Sequence, residues 1–285
     1  YNISVVFTQP PQKSHSGHNL NKSPIQGISE TLNIDYRTPK TLKDNHEEYE
    51  FLKELNADLA IVCAYGQIIP ENFLNLTKKG FVNIHASILP SWRGAAPIQR
   101  SIMNLDPETG ISIMKIKKEL DSGPVSNIYK IKIDQNQNAQ EISEKLSALA
   151  AEKILDNVDD ILEDKAKFID QDHSKATYAK KIDKEESRID WDEDASKIIG
   201  KINGLFPSPG ASFSFNGERY KILKAEIGNG IGQVGEIISN QLEVACNKNQ
   251  SIKILEIQRQ GKRPQKISEF MLGSQIKKGS KLSNV

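Results

Sequence analysis

Between Ile3 and Leu162 short apolar runs take turns with helix-patterned stretches, and that alternation constrains the fold more than any other feature of the chain. "ISVVFTQP" is followed by a polar loop and by "SPIQGISETLN"; "HEEYEFLKELN" leads into "ADLAIVCAYG", which reads as a buried run; "GFVNIHAS" precedes the helical "APIQRSIMNL". Strands separated by helices pack as a parallel sheet with helices on its faces, so an α/β domain is expected. "GISIMKI" and "NIYKIKI" add two strands on either side of the turn signal "LDSGP". "AQEISEKLSALAAEKILDNVDDIL" has apolar residues near i, i+3 and i+4 and predicts one long amphipathic helix.

The pattern lapses in "FIDQDHSKATYAKKIDKEESRID", which is charged, lacks sustained periodicity and reads as a linker. Beyond one more helix, "ASKIIGKINGLF", the character changes. "ASFSFNGERYKILKAEI" places Asn-Gly between two alternating runs, a strong hairpin signal, and "GEIIS", "LEVAC" and "SIKILEIQ" follow at short intervals. Closely spaced short strands predict a small OB-like β-barrel. The expected organisation is therefore a first domain over residues 1–167, a linker over 168–190 and a barrel over 191–285.

Composition excludes several classes. Apolar residues make up 37% and charged residues 26% of the chain, which places it among globular proteins rather than disordered ones. No window approaches the run of about 20 apolar residues needed to cross a bilayer, and "YNISVVFTQP" lacks the plan of a signal peptide, so a cytoplasmic protein is expected. Cys63 and Cys246 stand far apart in apolar runs and no zinc spacing occurs; buried thiols and no metal are expected. The net charge is +1, yet from Lys248 to Val285 nine cations face two glutamates, a local net of +7. Such a tail suggests a polyanionic partner, although a solvated charged face accounts for it as well. Lys262, Arg263 and Lys266, in the loop "QGKRPQK", are the cations best placed to follow a phosphate backbone.

In "FVNIHAS" a side-chain period of two puts Asn83 and His85 on one face and Val82 and Ile84 on the other. The pair lies at the carboxyl end of a strand, where open α/β sheets bind their ligands. An isolated His-Asn pair is more often satisfied by neighbouring backbone. Asp121, in the turn after the next strand, changes the balance, because a parallel or hairpin neighbour brings its carboxylate beside His85. An amide that donates, an imidazole and a carboxylate that orients it form a set without a nucleophile of its own. That set suits acyl transfer to an acceptor that brings its own amine.

"VNIHASILPSWRGAAPIQRSI", "AYGQIIP", "LDSGP" and "TYAKKIDKEESRIDW" resemble the methionyl-tRNA formyltransferase family almost end to end. The resemblance implies transfer of a formyl group from 10-formyltetrahydrofolate to the α-amine of methionine on initiator tRNA. A monomer without a membrane partner is expected. It assigns the catalytic roles to Asn83, His85 and Asp121. It places the folate at Ser87, Ile88, Leu89 and Pro90, with Gln67, Ile68 and Ile69 of "GQIIP" lining the pterin pocket. Trp92 and Arg93 either stack on the acceptor end of the tRNA or pack inside while the arginine pairs with a carboxylate. Pro97 is expected in the first turn of the following helix.

Two departures from the family stand out. The family begins with a further strand and a glycine-containing turn ahead of "VFTQP"; the resemblance therefore implies a Rossmann-like formyltransferase fold lacking its first βα unit, with residues preceding Tyr1. The loop "PPQKSHSGHNLNKSP" is shorter than the family's tRNA loop and keeps only Lys13, Lys22, His15 and His18 as basic groups. Rival readings are a formyltransferase acting on a sugar nucleotide or glycinamide ribonucleotide, which the basic β-rich tail disfavours, and an inactive RNA-binding module, which the complete triplet disfavours.

Overall fold

The computed structural model describes residues 1–13 and 20–283. His15 and His18 lie outside them. The chain divides into two compact units, each discontinuous in sequence: Tyr1–His85, Ile111–Ile128 and Ala150–Ser174 form the first, and Ala86–Gly110, Tyr129–Leu149 and the residues from Lys175 onward form the second.

In chain order the elements are β1 (Val6–Phe7), β2 (Gln12–Lys13), β3 (Leu20–Asn21), α1 (Pro24–Thr31), β4 (Tyr36–Arg37), α2 (His46–Leu55), β5 (Ala60–Val62) and β6 (Phe81–His85). They continue with β7 (Arg93–Gly94), α3 (Pro97–Met103), β8 (Glu108–Lys115), β9 (Val125–Lys132), α4 (Ala139–Leu162) and β10 (Tyr178–Ala179). The last are α5 (Ala195–Leu205), β11 (Ser212–Phe215), β12 (Glu218–Ile227), β13 (Glu243–Cys246), β14 (Gln250–Arg259), β15 (Gln265–Lys266) and α6 (Ile267–Gly273).

Helix boundaries follow local chemistry. Ser23 caps α1 by accepting from the Gln26 N–H, with Pro24 in the first turn. Asn45 caps α2 in the same way from Glu48, two glutamates sit in its first turn, and Asn56 closes it in the left-handed conformation. Pro97 opens α3 as expected, and α4 spans the stretch that the apolar spacing marked.

β5, β6, β8 and β9 form a mixed sheet in that order, with β5 parallel and β8 antiparallel to β6. β1 and β4 pair in parallel as a separate two-stranded ladder. The apolar run through β5 is less enclosed than its composition suggests: Ile61 is 47% exposed and Cys63 also lies at the surface. Among the described residues β5 is the last strand of its ladder and gains cover from one neighbouring strand. In this unit Leu42, Leu52, Phe73 and Phe81 form a core onto which half-buried residues such as Phe7, Tyr65 and Ile69 pack.

The second unit carries a curled antiparallel sheet in the order β11-β12-β14-β13, with β15 on β14. Asn216 and Gly217, both at positive φ, make the two-residue turn between β11 and β12 that the Asn-Gly signal anticipated. "GEIIS" supplies isolated bridges from Glu236 and Ile237 rather than a strand. Trp191, Ile198, Ile202, Leu205, Ile222 and Val244 are among the residues that fill the core, and Cys246 is buried with them.

Residues 168–190 are not a free tether. Ile169 bridges Val125, Tyr178 and Ala179 pair in parallel with Arg93 and Gly94, and Asp183 and Glu186 form a capping box. Arg100 of α3 grips Glu186 through two hydrogen bonds of 2.5 and 2.9 Å and donates to the carbonyls of Lys180 and Lys181.

Candidate active site

β6 delivers two polar groups. Its register pairs Asn83 with Met114 and His85 with Ser112 of β8, which keeps both on one face of the sheet. His85 is 6% exposed. Asp121 lies in the connection from β8 to β9, and its Oδ2 stands 3.6 Å from His85 Nδ1. That separation is ion-pair contact just beyond hydrogen-bond length, the kind of spacing that tightens when a substrate fills a site. The antiparallel neighbour, not a parallel one, brings the aspartate to the histidine.

The turn that carries Asp121 is locally demanding. Asp121 has φ of 47°, in the left-handed region. Gly123 admits no side chain, because a Cβ there would lie 1.8 Å from the carbonyl oxygen of Lys115. Sequence reading chose Asp121 for its carboxylate and the turn for its composition; the groups that hold the turn were not visible. One of them is Gln171, whose Nε2 donates to the carbonyls of Asp121 at 2.9 Å and Gly123 at 2.7 Å.

Near β5 in the same unit, the segment read as a pterin wall presents Ile68 with 89% of its surface exposed. Gln67 donates from Nε2 to the Pro39 carbonyl, while its Oε1 and the hydroxyl of Tyr65 are buried without a hydrogen-bond partner among the described atoms. Burial and the nearby Glu48 carboxylate push the Tyr65 phenol up to about 12, so the hydroxyl stays protonated. Orphaned buried polar atoms beside exposed apolar surface are what a ligand with matching donors and acceptors would satisfy.

In the second unit Ser87 is fully buried and donates to the Ser91 carbonyl at 2.6 Å; Leu89 is buried, and Ile88 and Pro90 are half-buried. Thr177 staples the loop that follows. Its N–H donates to Pro90, its Oγ1 accepts from the Trp92 N–H and its carbonyl accepts from the Arg93 N–H. Trp92 directs Nε1 to Asp106 at 2.7 Å, and Arg93 is 4% exposed. Sequence reading gave Thr177 and Asp106 no role: Thr177 opens the quoted stretch "TYAKKIDKEESRIDW" but nothing in that string points to the 90–93 loop, and Asp106 belongs to no motif. Both act at long range along the chain.

The cations of the basic tail differ in whether a carboxylate holds them. Lys248 pairs with Asp194 and Arg259 with Glu218. Lys262, Arg263, Lys266, Lys277, Lys278 and Lys281 are exposed and form no ion pair among the described residues. In the shortened loop, Lys22 is engaged by Glu30 at 2.9 Å. That ammonium, with the Tyr36 hydroxyl and the Gln26 amide, holds the Glu30 carboxyl down at about 2.

Comparison with known proteins shows the family of the chain. Residues 1–158 match the family model described as formyl transferase, and residues 181–275 match the one described as formyl transferase, C-terminal domain. A methionyl-tRNA formyltransferase of Pelagibacter ubique is 65% identical over 285 residues, covering all of this chain and 92% of that protein. One from Mesorhizobium japonicum is 38% identical over 99% of this chain and 92% of its own length. Among solved structures, the sugar 3N-formyl transferase WlaRD, determined with dTDP and 5-N-formyl-THF, superposes with a TM-score of 0.67 at 17% identity over 92% of this chain and 99% of that one. HypX from Aquifex aeolicus, in complex with tetrahydrofolic acid, gives 0.66 at 17% identity, covering 95% of this chain and 47% of its own.

Proposed function

The chain belongs to the methionyl-tRNA formyltransferase family and is a formyl transferase of translation initiation; on that premise we propose that Asn83, His85 and Asp121 transfer the formyl group of 10-formyltetrahydrofolate to the methionyl α-amine of initiator tRNA. The observation that carries the reading is the approach of Asp121 Oδ2 to His85 Nδ1, at 3.6 Å, on the strand face shared with Asn83.

The amine attacks the formyl carbon, a C–N bond forms, and the carbonyl oxygen takes up negative charge. Asn83 donates its amide to that oxygen, and His85, oriented by Asp121, supplies the second stabilising group. Collapse breaks the bond to folate N10, and the proton shed by the amine ends on that nitrogen. The folate fits the residues present in one respect: a pterin has donors for Gln67 Oε1 and an acceptor for the Tyr65 hydroxyl, both buried and without a hydrogen-bond partner among the described residues. Ile68 and Ile69 are proposed to line the same pterin wall, and Ser87, Ile88, Leu89 and Pro90 are assigned to the folate by the family resemblance alone.

Residues 191–285 are proposed as the tRNA-binding domain, with Lys262, Arg263 and Lys266 on phosphates and Trp92 and Arg93 near the acceptor end. The arginine's burial argues that it would act there only after a local rearrangement. The enzyme is taken to work as a monomer in the cytoplasm; no helix among the described residues is long and apolar enough to cross a membrane.

A formyl-transfer assay tests the whole reading. Charged initiator tRNA should be formylated, charged elongator tRNA and dTDP-linked amino sugars should not, and His85→Ala, Asp121→Ala and their double variant should lose activity to a similar extent because the pair acts as a unit. Additive losses would remove His85 and Asp121 from a common role. Turnover of the amino sugar in place of tRNA would move the enzyme to the other acceptor class.

A further inference from the structure

We propose that Gln171 is a positioning residue for the formyl transfer, holding the Asp121 turn in the conformation that presents the carboxylate to His85. The proposal rests on the catalytic reading of Asp121 given above. Its own evidence is geometric. A single amide group, 8% exposed, donates both of its hydrogens to the carbonyls that flank Ser122, at 2.9 Å to Asp121 and 2.7 Å to Gly123. Chelation of two carbonyls two residues apart fixes the Asp121–Ser122 and Gly123–Pro124 peptide planes and so brackets the apex of the turn. Asp121 needs such support, because a non-glycine residue at positive φ persists only where its surroundings hold it. Gln171 is itself anchored: Ile169, two residues earlier, exchanges two backbone hydrogen bonds of 2.9 Å with Val125.

The arrangement has the reach of a strut. Val125 starts the strand that leaves the turn, so the segment carrying Gln171 is tied to one end of the turn by backbone and to its apex by the amide. Burial keeps water from replacing either hydrogen bond cheaply. If the strut is removed, the turn can relax toward ordinary φ and carry the carboxylate away from His85. Asn83, on the strand itself, keeps its place.

Gln171→Met preserves length and volume but has no N–H to donate, and Gln171→Glu puts a carboxylate against two carbonyl oxygens. Each variant should be assayed for kcat, for KM toward the formyl donor and methionyl-tRNA, and for Tm, both alone and in an Asp121→Asn background. Gln171→Met should lower kcat by about 10²-fold, the cost of misplacing a catalytic group by roughly 1 Å, with both KM values within about twofold. Gln171→Glu should lose more. In the Asp121→Asn background the same substitutions should change kcat by no more than about twofold, since there is no carboxylate left to position. Equal losses in both backgrounds, or a fall in Tm that accounts for the lost activity, would overturn the positioning role and leave Gln171 as a fold residue. Should Asp121→Asn retain full activity, the catalytic reading of the aspartate fails first and this proposal goes with it. Inactive Asp121→Asn beside fully active Gln171→Met would sink the strut alone.

Discussion

The cores of the two units differ in how far they are closed. Around Trp191 the aromatic rings interlock: Trp191 meets Phe213 edge-on at 5.9 Å, Phe213 stacks on Tyr220 at 5.4 Å, and Tyr220 meets Phe270 edge-on at 5.8 Å, all inside buried aliphatic residues. Around α2 and β5 the arrangement is looser. Phe7 and Phe51 tilt together at 6.2 Å and Tyr49 meets Phe73 edge-on, but Phe7, Phe51, Tyr49, Tyr65 and Ile69 all keep part of their surface exposed. The difference separates two jobs. A closed core holds a domain together without help, whereas a half-open one leaves apolar area and unpaired polar atoms for a ligand to cover.

The largest expected effect tests the closed core. Trp191→Ala should destabilise the protein by about 3–5 kcal/mol, measured by denaturant unfolding, as the removal of a fully buried indole demands. The half-open core should answer differently. Tyr65→Phe deletes a hydroxyl that has no partner among the described residues, so stability should hold or rise slightly while affinity for the folate falls. A large loss of stability at Tyr65 would erase the contrast.

Next in size is the test of chemistry at the half-open unit. Asn83→Ala should cost about 2.7–4 kcal/mol in the chemical step, with little change in Tm or folate affinity, if its amide holds the developing oxyanion. Asn83→Asp should be worse, because it sets a charge where the oxyanion forms. Matching losses in rate and in folate binding would make Asn83 a structural residue and weaken the division between stability in one unit and chemistry in the other.

How much of this could be read in advance differed along the same line. The placement of Asn83 and His85 on one strand face with Asp121 beside the histidine was legible because a period-two strand and a turn signal have local sequence signatures, and so were α4, the Pro97 start of α3 and the Asn216–Gly217 hairpin. The direction of β8 against β6 was not, since strand patterning is the same in both directions. Nor was the exposure of Ile61 and Cys63, where apolar composition suggested burial but, among the described residues, the strand pairs on one side only. The charged stretch over 168–190 was the least legible. It works through single side-chain and backbone hydrogen bonds to partners about 50 to 90 residues away, from Gln171, Thr177 and Glu186, and such bonds leave no periodicity.

A smaller effect should appear on the surface of the closed domain. Replacing Lys262, Arg263 and Lys266 together by alanine should weaken tRNA binding and reduce the slope of log K against log salt by about 0.7–0.9 for each lysine or arginine that contacts a phosphate. Tm should barely move, because these side chains are exposed and form no ion pair among the described residues. An unchanged slope would make the charge a solvated face and leave the closed domain without a demonstrated RNA surface.

The smallest effect lies at the edge of the closed core, where α3 holds the 180–186 segment. Hydrogen bonds from Arg100 hold the Glu186 carboxyl below the ordinary glutamate range, against an opposing push from burial. A carboxylate whose folded pKa is depressed stabilises the folded state at pH values above its unfolded pKa, and that contribution disappears as pH falls through the folded value. Glu186→Gln should therefore be less stable than the parent at pH 7, by no more than about 1 kcal/mol for a pair that solvent partly screens. In acid, once Glu186 itself is protonated, the two proteins should unfold together. Raised salt should narrow the gap at pH 7 as well, since the pair is only partly buried. A gap that stays constant with pH would mean that Glu186 acts through its hydrogen-bonding shape and not its charge. A gap far above 1 kcal/mol would show that the segment read as a linker is part of what closes the second core.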